Sequence, residues 1–162
     1  MWTAVRKGSG LATDERTDLS RGANNDVMVT DVKRRAEKMT RIINLYDQRD
    51  EQSTERRARM LNWQRAIRQG GGTIIAGDMN AHSRRWNLRC RVQCIATFWE
   101  EIIDEYGIEI GNDDDLSTHH WARNGEEGES TIDLTLATRP ITRWTTLDWS
   151  YAIGSDHEVI EL

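Results

Sequence analysis

The sequence predicts one domain of the α/β or α+β class, built in several layers, and three observations lead there. A strand-like run, a helical stretch and a second strand-like run follow one another between Arg41 and Asp78. Further on, "IATFWEEIIDEYG" repeats apolar residues at spacings of three and four. Beyond it, "TIDLTLA" alternates apolar and polar residues with the period of a half-buried strand.

Composition supports a folded chain. At 162 residues the length is that of one domain, and such a domain buries roughly 70% of its unfolded-chain surface. The hydrophobic share is 37% and the charged share 30%, yet seven tryptophans supply large apolar bodies that disordered chains seldom carry. No stretch approaches the roughly 20 apolar residues of a membrane span, and Met1-Trp2-Thr3 opens no signal peptide. A soluble, intracellular protein with no membrane partner is expected. The net charge of −5 argues against holding nucleic acid by electrostatics alone, a mode that needs a basic face, but leaves a metal-dependent enzyme open. Cys90 and Cys94 have no second Cys or His pair spaced to complete a zinc tetrahedron, so they are read as two reduced thiols beside a helix start.

The elements are justified in chain order. Residues 7–25, rich in Gly, Ser, Asp and Arg, show little periodicity, so 1–25 is expected to be a polar, loop-like or poorly ordered segment ahead of a domain over 26–162. "DVMVTDV" from Asp26, "RIINLY" from Arg41 and "TIIAG" from Thr73 are strands. Met60, Trp63 and Ile67 share a face of a helix running from about Ser53 to the glycines at 70–72, with Arg56, Arg57 and Arg59 on its solvated side. Ile95, Phe98, Trp99, Ile102, Ile103 and Tyr106 mark the clearest helix, and Gly107 is its exit. In "TIDLTLA", Ile132, Leu134 and Leu136 face one way while Asp133 and Thr135 face the other. "GSDHEVIEL" is a turn followed by a last strand.

Polar groups fall at several of these strand ends and turns: Tyr46, Asp78 with Asn80, and Asp156 with His157. Asp and Asn often follow strands simply because their side chains stabilise turns. That explanation does not reach Asp133, a carboxylate inside an otherwise apolar strand, whose desolvation requires a partner. His157 is the candidate partner. As a set, carboxylates and an amide oxygen suit Mg²⁺, an Asp–His pair fixes an imidazole tautomer, and Tyr and Asn can hydrogen-bond a phosphate. Such equipment suits metal-assisted attack of water on a phosphate ester. Arg84, Arg85, Arg89 and Arg91 follow the Asp78–His82 run directly and are either phosphate contacts or solvated surface.

"IINLYDQ", "TIIAGDMNAHSRRW", "STIDLTLA" and "GSDHEVIEL", in this order, resemble the later motifs of the endonuclease/exonuclease/phosphatase family. More narrowly they resemble the apurinic-type endonuclease domain of non-LTR (LINE-like) retrotransposons, over about Asp26 to Leu162. The resemblance implies a four-layered α/β sandwich of DNase-like type and a reverse transcriptase-associated, DNA-nicking hydrolase that uses Mg²⁺ or Mn²⁺. It implies a nuclear setting with DNA as partner. By the same resemblance, Tyr46 contacts the scissile phosphate, Asp78 orients the attacking water, and Asn80 stabilises the transition state. Asp156 lies at the metal, and His157, paired with Asp133, faces the phosphate. His82 and Trp86 belong to the retrotransposon variant of the motif and are taken as structural.

The sequence also departs from that family. The early strand ending in Asn and the strand bearing the metal-ligand Glu are not found, and Glu15, in "TDERTD", is not assigned that role. The resemblance therefore reads as the C-terminal two-thirds of the domain, N-terminally truncated, with an incomplete metal site, weak Mg²⁺ binding and self-association through an uncovered sheet edge. Two alternatives follow. One is a non-catalytic remnant or binding domain of the same fold. The other is a phosphatase of the same superfamily.

Overall fold

The computed structural model describes residues 9–20, 26–34, 38–47, 64–67, 72–90, 94–113, 116–138, 145–146, 154–158 and 160–161. The chain divides into two units, Met1–Gly77 and Asp78–Leu162.

The first unit is organised by alternation. Strands β1 (Leu11–Glu15), β2 (Val27–Arg34), β3 (Thr40–Tyr46) and β4 (Thr73–Asp78) lie side by side in that order. β1 pairs antiparallel with β2, and β2 antiparallel with β3. Val27 and Val29 on β2, Ile43 and Leu45 on β3 and Ile75 on β4 are buried, so every second residue supplies the apolar face. Arg41 and Asp31 sit on the same period and are buried too, to 1% and 7% exposure, directly opposite each other across β2 and β3. Their burial is compensated. Arg41 donates through Nε and a terminal nitrogen to the two oxygens of Asp31 at 2.7 and 2.9 Å, and through its other nitrogen to the carbonyl of Ala66 at 2.9 Å. Arg16 donates to the same carboxylate at 3.2 Å and grips Asp18 at 2.8 and 2.9 Å. With Arg41 as the main cause, joined by Arg16, the Asp31 carboxyl is held below its ordinary range although burial opposes this.

β1 corrects the expectation that this stretch is a loop. All five of its residues are exposed, so the strand is held by backbone pairing to β2 and leaves no apolar alternation to read. Glu15 stands exposed at its end, in register with Thr30. Of the helix expected from about Ser53, residues 64–67 are helical and Ile67 is buried. Met60, Trp63, Arg56, Arg57 and Arg59 lie outside the described residues.

The second unit holds the clearest helix, α1 (Cys94–Tyr106), where expected. Ala96, Trp99, Ile102 and Ile103 are buried on one stripe. The helix ends at Gly107, whose φ of 59° lets the Ile108 N–H return to the Ile103 carbonyl at 2.9 Å. Short β5 (Glu109–Ile110) then pairs antiparallel with β8 (Asp133–Ala137). Between them β6 (His119–Arg123) and β7 (Glu126–Ser130) form a hairpin. Asn124 and Gly125 turn it with φ of 55° and 81°, the mirror-image turn that suits strand twist. Within the hairpin Trp121 lies across Gly128, where an added Cβ would sit 2.3 Å from its ring. The final turn leads, as expected, to β10 (Ile160–Glu161), which pairs antiparallel with β9 (Thr145–Thr146).

The "NAHSRRW" run folds onto α1. Trp86 is fully buried and donates its indole N–H to the Ala81 carbonyl at 3.2 Å, while His82 is half-buried. Buried Ser83 hydrogen-bonds Glu100. Arg85, one of the arginines considered for phosphate contact, meets Asp104 at 2.8 Å. Arg84 and Arg89 are exposed, and Arg91 lies outside the described residues. Cys90 is a free thiol whose pKa burial pushes up, and the side chain of Cys94 lies outside the described residues.

Candidate functional site

The tip of β4 needs a glycine. Gly77 has φ 143°, and a Cβ there would stand 1.8 Å from the Leu45 carbonyl oxygen, so no other residue fits without displacement. Directly after it, Asp78 folds the chain back on itself. Its carboxylate accepts the backbone N–H of Asn80 at 2.8 Å and the Asn80 amide at 3.3 Å. Asn80 adopts φ 47°, a left-handed conformation that Asn tolerates better than most residues. Between them Met79 is fully buried and its N–H donates to the Ile132 carbonyl at 2.8 Å, which fastens the Asp78 turn beside the start of β8.

Asp133 opens β8 and is held from several sides. Thr118 Oγ1 accepts the N–H groups of Ile132 and Asp133 at 3.1 and 3.0 Å. Asn112 donates its amide to the Asp133 carbonyl at 2.8 Å and accepts the Thr135 N–H at 2.8 Å. The same Thr118 reaches the C-terminal turn, because its carbonyl accepts the Glu158 N–H at 2.8 Å. The His120 N–H donates to the Asp156 carbonyl at 2.8 Å, and His119 forms a backbone bridge with His157.

These bonds bring three predicted residues into one cluster. Nδ1 of His157 lies 2.8 Å from Oδ2 of Asp133, and ligand atoms of Asp78, Asp133 and His157 all lie within 4.8 Å of one another. Burial opposes charge on His157, but the hydrogen bond to Asp133 and the charges of Asp133, Asp78 and Asp156 outweigh it and raise the pKa. Asp156 is exposed at the turn beside His157, and Asn80 is tied to Asp78. Tyr46 belongs to the first unit, exposed at the end of β3, with its N–H on the Asp26 carbonyl at 2.8 Å.

His119 was not singled out in the sequence. It stands against His157 with ring centroids 4.7 Å apart, and its Nε2 is 3.6 Å from Oδ2 of Asp156. Burial, then the neighbouring His157, lower its pKa against the pull of Asp156 and Asp133. Only the Asn-Gly pair at 124–125, which marks a hairpin leading back past Thr118 and His119, signalled their position.

A profile of the family described as endonuclease-reverse transcriptase matches residues 40–161, a span that takes in β3 through β10 and the whole cluster. The chain belongs to the endonuclease-reverse transcriptase family. No curated protein matches it. Among solved structures, this endonuclease-reverse transcriptase family member is similar to the endonuclease domain of TRAS1, a telomere-specific non-LTR retrotransposon. That likeness has a TM-score of 0.75 at 22% identity, over 91% of this chain and 66% of that one. It is also similar to the catalytic domain of Xenopus laevis APE2, with a TM-score of 0.57 at 18% identity, over 83% of this chain and 53% of that one. These likenesses are of fold. They give the chain the DNase-like α/β fold that its motifs led one to expect. Among the described residues no helix is long and apolar enough to cross a membrane.

Proposed function

We propose that the chain is the phosphodiesterase part of a DNA-nicking endonuclease of the retrotransposon type, dependent on Mg²⁺ or Mn²⁺. The observation that carries this reading is the cluster of Asp78, Asp133 and His157, in which a carboxylate orients an imidazole beside a second carboxylate. Hydrolysis of a phosphodiester needs a water aimed at phosphorus and donors for the oxygens that gain charge. Asp78 takes the first task, since a carboxylate can accept a proton of the attacking water and hold its lone pair in line. His157 takes the second. Held cationic longer than a free imidazole, it donates to a phosphate oxygen while Asp133 compensates its charge. Asn80 adds an amide donor from the same turn, and the motif resemblance alone assigns Tyr46 to the scissile phosphate.

The donor set fits a hard divalent cation, since the Asp156 and Asp78 carboxylates and the Asn80 amide offer oxygen ligands. Asp156, exposed at its turn, is the principal ligand in this reading. When bound, Mg²⁺ or Mn²⁺ would supply neutralisation of charge on the phosphate oxygens. The match to an endonuclease-reverse transcriptase family and the fold shared with the TRAS1 endonuclease domain favour DNA over other phosphate esters.

Supercoiled plasmid is the test substrate. Nicking should require Mg²⁺ or Mn²⁺, and Asp78→Ala or His157→Ala should abolish it. Nicking that survives both substitutions would assign the activity elsewhere. Release of inorganic phosphate from a monoester without nicking would replace the reading by a phosphatase. A folded chain that neither nicks nor releases phosphate would leave a non-catalytic domain of the same fold.

A further inference from the structure

His157 belongs to two overlapping groups of ligand atoms. One is the oxygen-rich set with Asp78 and Asp133, and the other joins it to His119 and Asp156, again with all ligand atoms within 4.8 Å of one another. The second set is chemically different, with two imidazoles and one carboxylate, and it is already oriented. His119 is held at Nδ1 by Ser130 Oγ at 3.2 Å, and His157 is held at Nδ1 by Asp133 at 2.8 Å. A neutral imidazole that donates from Nδ1 presents the lone pair of Nε2, and a carboxylate behind a ligating histidine is the usual outer partner of a bound transition metal. The backbone bridge between His119 and His157 fixes the two rings at a centroid distance of 4.7 Å.

Geometry favours the same occupant. Metal–ligand bonds of about 2.0–2.2 Å in a tetrahedral site put neighbouring donor atoms roughly 3.3–3.6 Å apart. Nε2 of His119 and Oδ2 of Asp156 are 3.6 Å apart. The other ligand-atom separations of the set are within 4.8 Å, and Asp156, with 68% of its side chain exposed, has room to turn toward a shared ion. Mg²⁺ prefers oxygen and keeps its waters, whereas imidazole nitrogens select borderline transition cations.

We propose that His119, Asp156 and His157 form a binding site for a borderline divalent transition cation, Zn²⁺ or Co²⁺, with one position left for water or an anion. The site does not depend on the nuclease reading. It does imply that an ion held there occupies His157 and withdraws it from any phosphate.

Histidine ¹⁵N NMR on the full chain titrated with Zn²⁺ tests the site. The chain has four histidines, and the first equivalent should move Nε2 of His119 and His157 while His82 and His120 keep their shifts. Movement of His82 or His120 instead, or no histidine response at one equivalent, overturns the proposal. Calorimetry on a Cys90→Ser/Cys94→Ser background removes thiol binding from the reading. There His119→Asn should weaken Zn²⁺ at least about ten-fold, while His120→Asn, whose imidazole instead faces Glu158 at 3.4 Å, should not. Equal Zn²⁺ affinity in His119→Asn, with an unchanged circular dichroism spectrum, also overturns it.

Discussion

The hydroxyl of Thr118 accepts the backbone N–H of Asp133 at 3.0 Å, so a side chain from the segment entering β6 fixes where β8 begins. It takes the Ile132 N–H as well, at 3.1 Å. Thr118→Val keeps the shape and removes the acceptor, which leaves both donors unmatched at a cost of about 1–3 kcal/mol each. Thr118→Ser restores the acceptor and should recover most of the loss. Urea denaturation of the two variants is the measurement, and equal stability of Val and Ser at this position would show that the hydroxyl carries nothing.

The raised pKa of His157 has a definite sign in stability. A group whose pKa rises on folding stabilises the fold below its unfolded value, about 6.5 for histidine, and that contribution fades as pH climbs through the folded value. Asp133→Asn removes the largest raising influence, so the His157 pKa should fall and the stability advantage of wild type over variant should be greatest in mildly acidic solution. NMR titration of the histidine resonances reads the first effect. An unmoved His157 pKa in Asp133→Asn would mean the two side chains do not pair in solution.

Asp31 behaves in the opposite sense. Its lowered pKa contributes stability above the unfolded carboxylate value, about 3.9, and that stability is lost as pH falls through the folded value. Arg41→Ala should destabilise by roughly 3 kcal/mol at neutral pH, because it leaves a buried carboxylate with Arg16, at 3.2 Å, in place of its two-pronged partner. In the variant the acid end of the stability profile should flatten. Thermal melts between neutral and strongly acidic pH would show it, and a profile parallel to wild type would contradict the account.

Gly77 has no tolerated replacement by this geometry. Alanine there meets both a positive φ and the Leu45 carbonyl, which together should cost roughly 3 kcal/mol or more. Because the displaced residue immediately precedes Asp78, nicking by Gly77→Ala should fall more steeply than the folded fraction does. Activity assayed per folded molecule separates the two losses, and a proportional decline would restrict Gly77 to stability.

What the sequence disclosed followed from the range of the forces involved. β3, β4 and α1 were legible because burial on one face imposes a period of two or of three and four, visible in Ile43 and Leu45 or in Trp99 and Ile103. β8, buried on both faces from Leu134 to Ala137, was legible from the alternation of its letters alone. Asp133 was legible as a misfit in such a pattern. β1 was not, since its side chains bury nothing. Arg41 and Asp31 occupy apolar-face positions, yet each residue type suggests a surface, and only their register across β2 and β3 makes them a pair. His119 was missed for a similar reason. Its neighbour in space is His157, reached only through the bridge that the hairpin and the terminal turn create.

The five exposed residues of β1 meet β2 through main-chain atoms, which every amino acid except proline supplies alike. "LATDE" therefore carries almost no information of its own, and the address of that segment is written in its partner. Scrambling those five letters should leave the strand in its register, whereas a single proline at a bonded N–H would release it. Two chains of this kind can share the strand and show no resemblance along it.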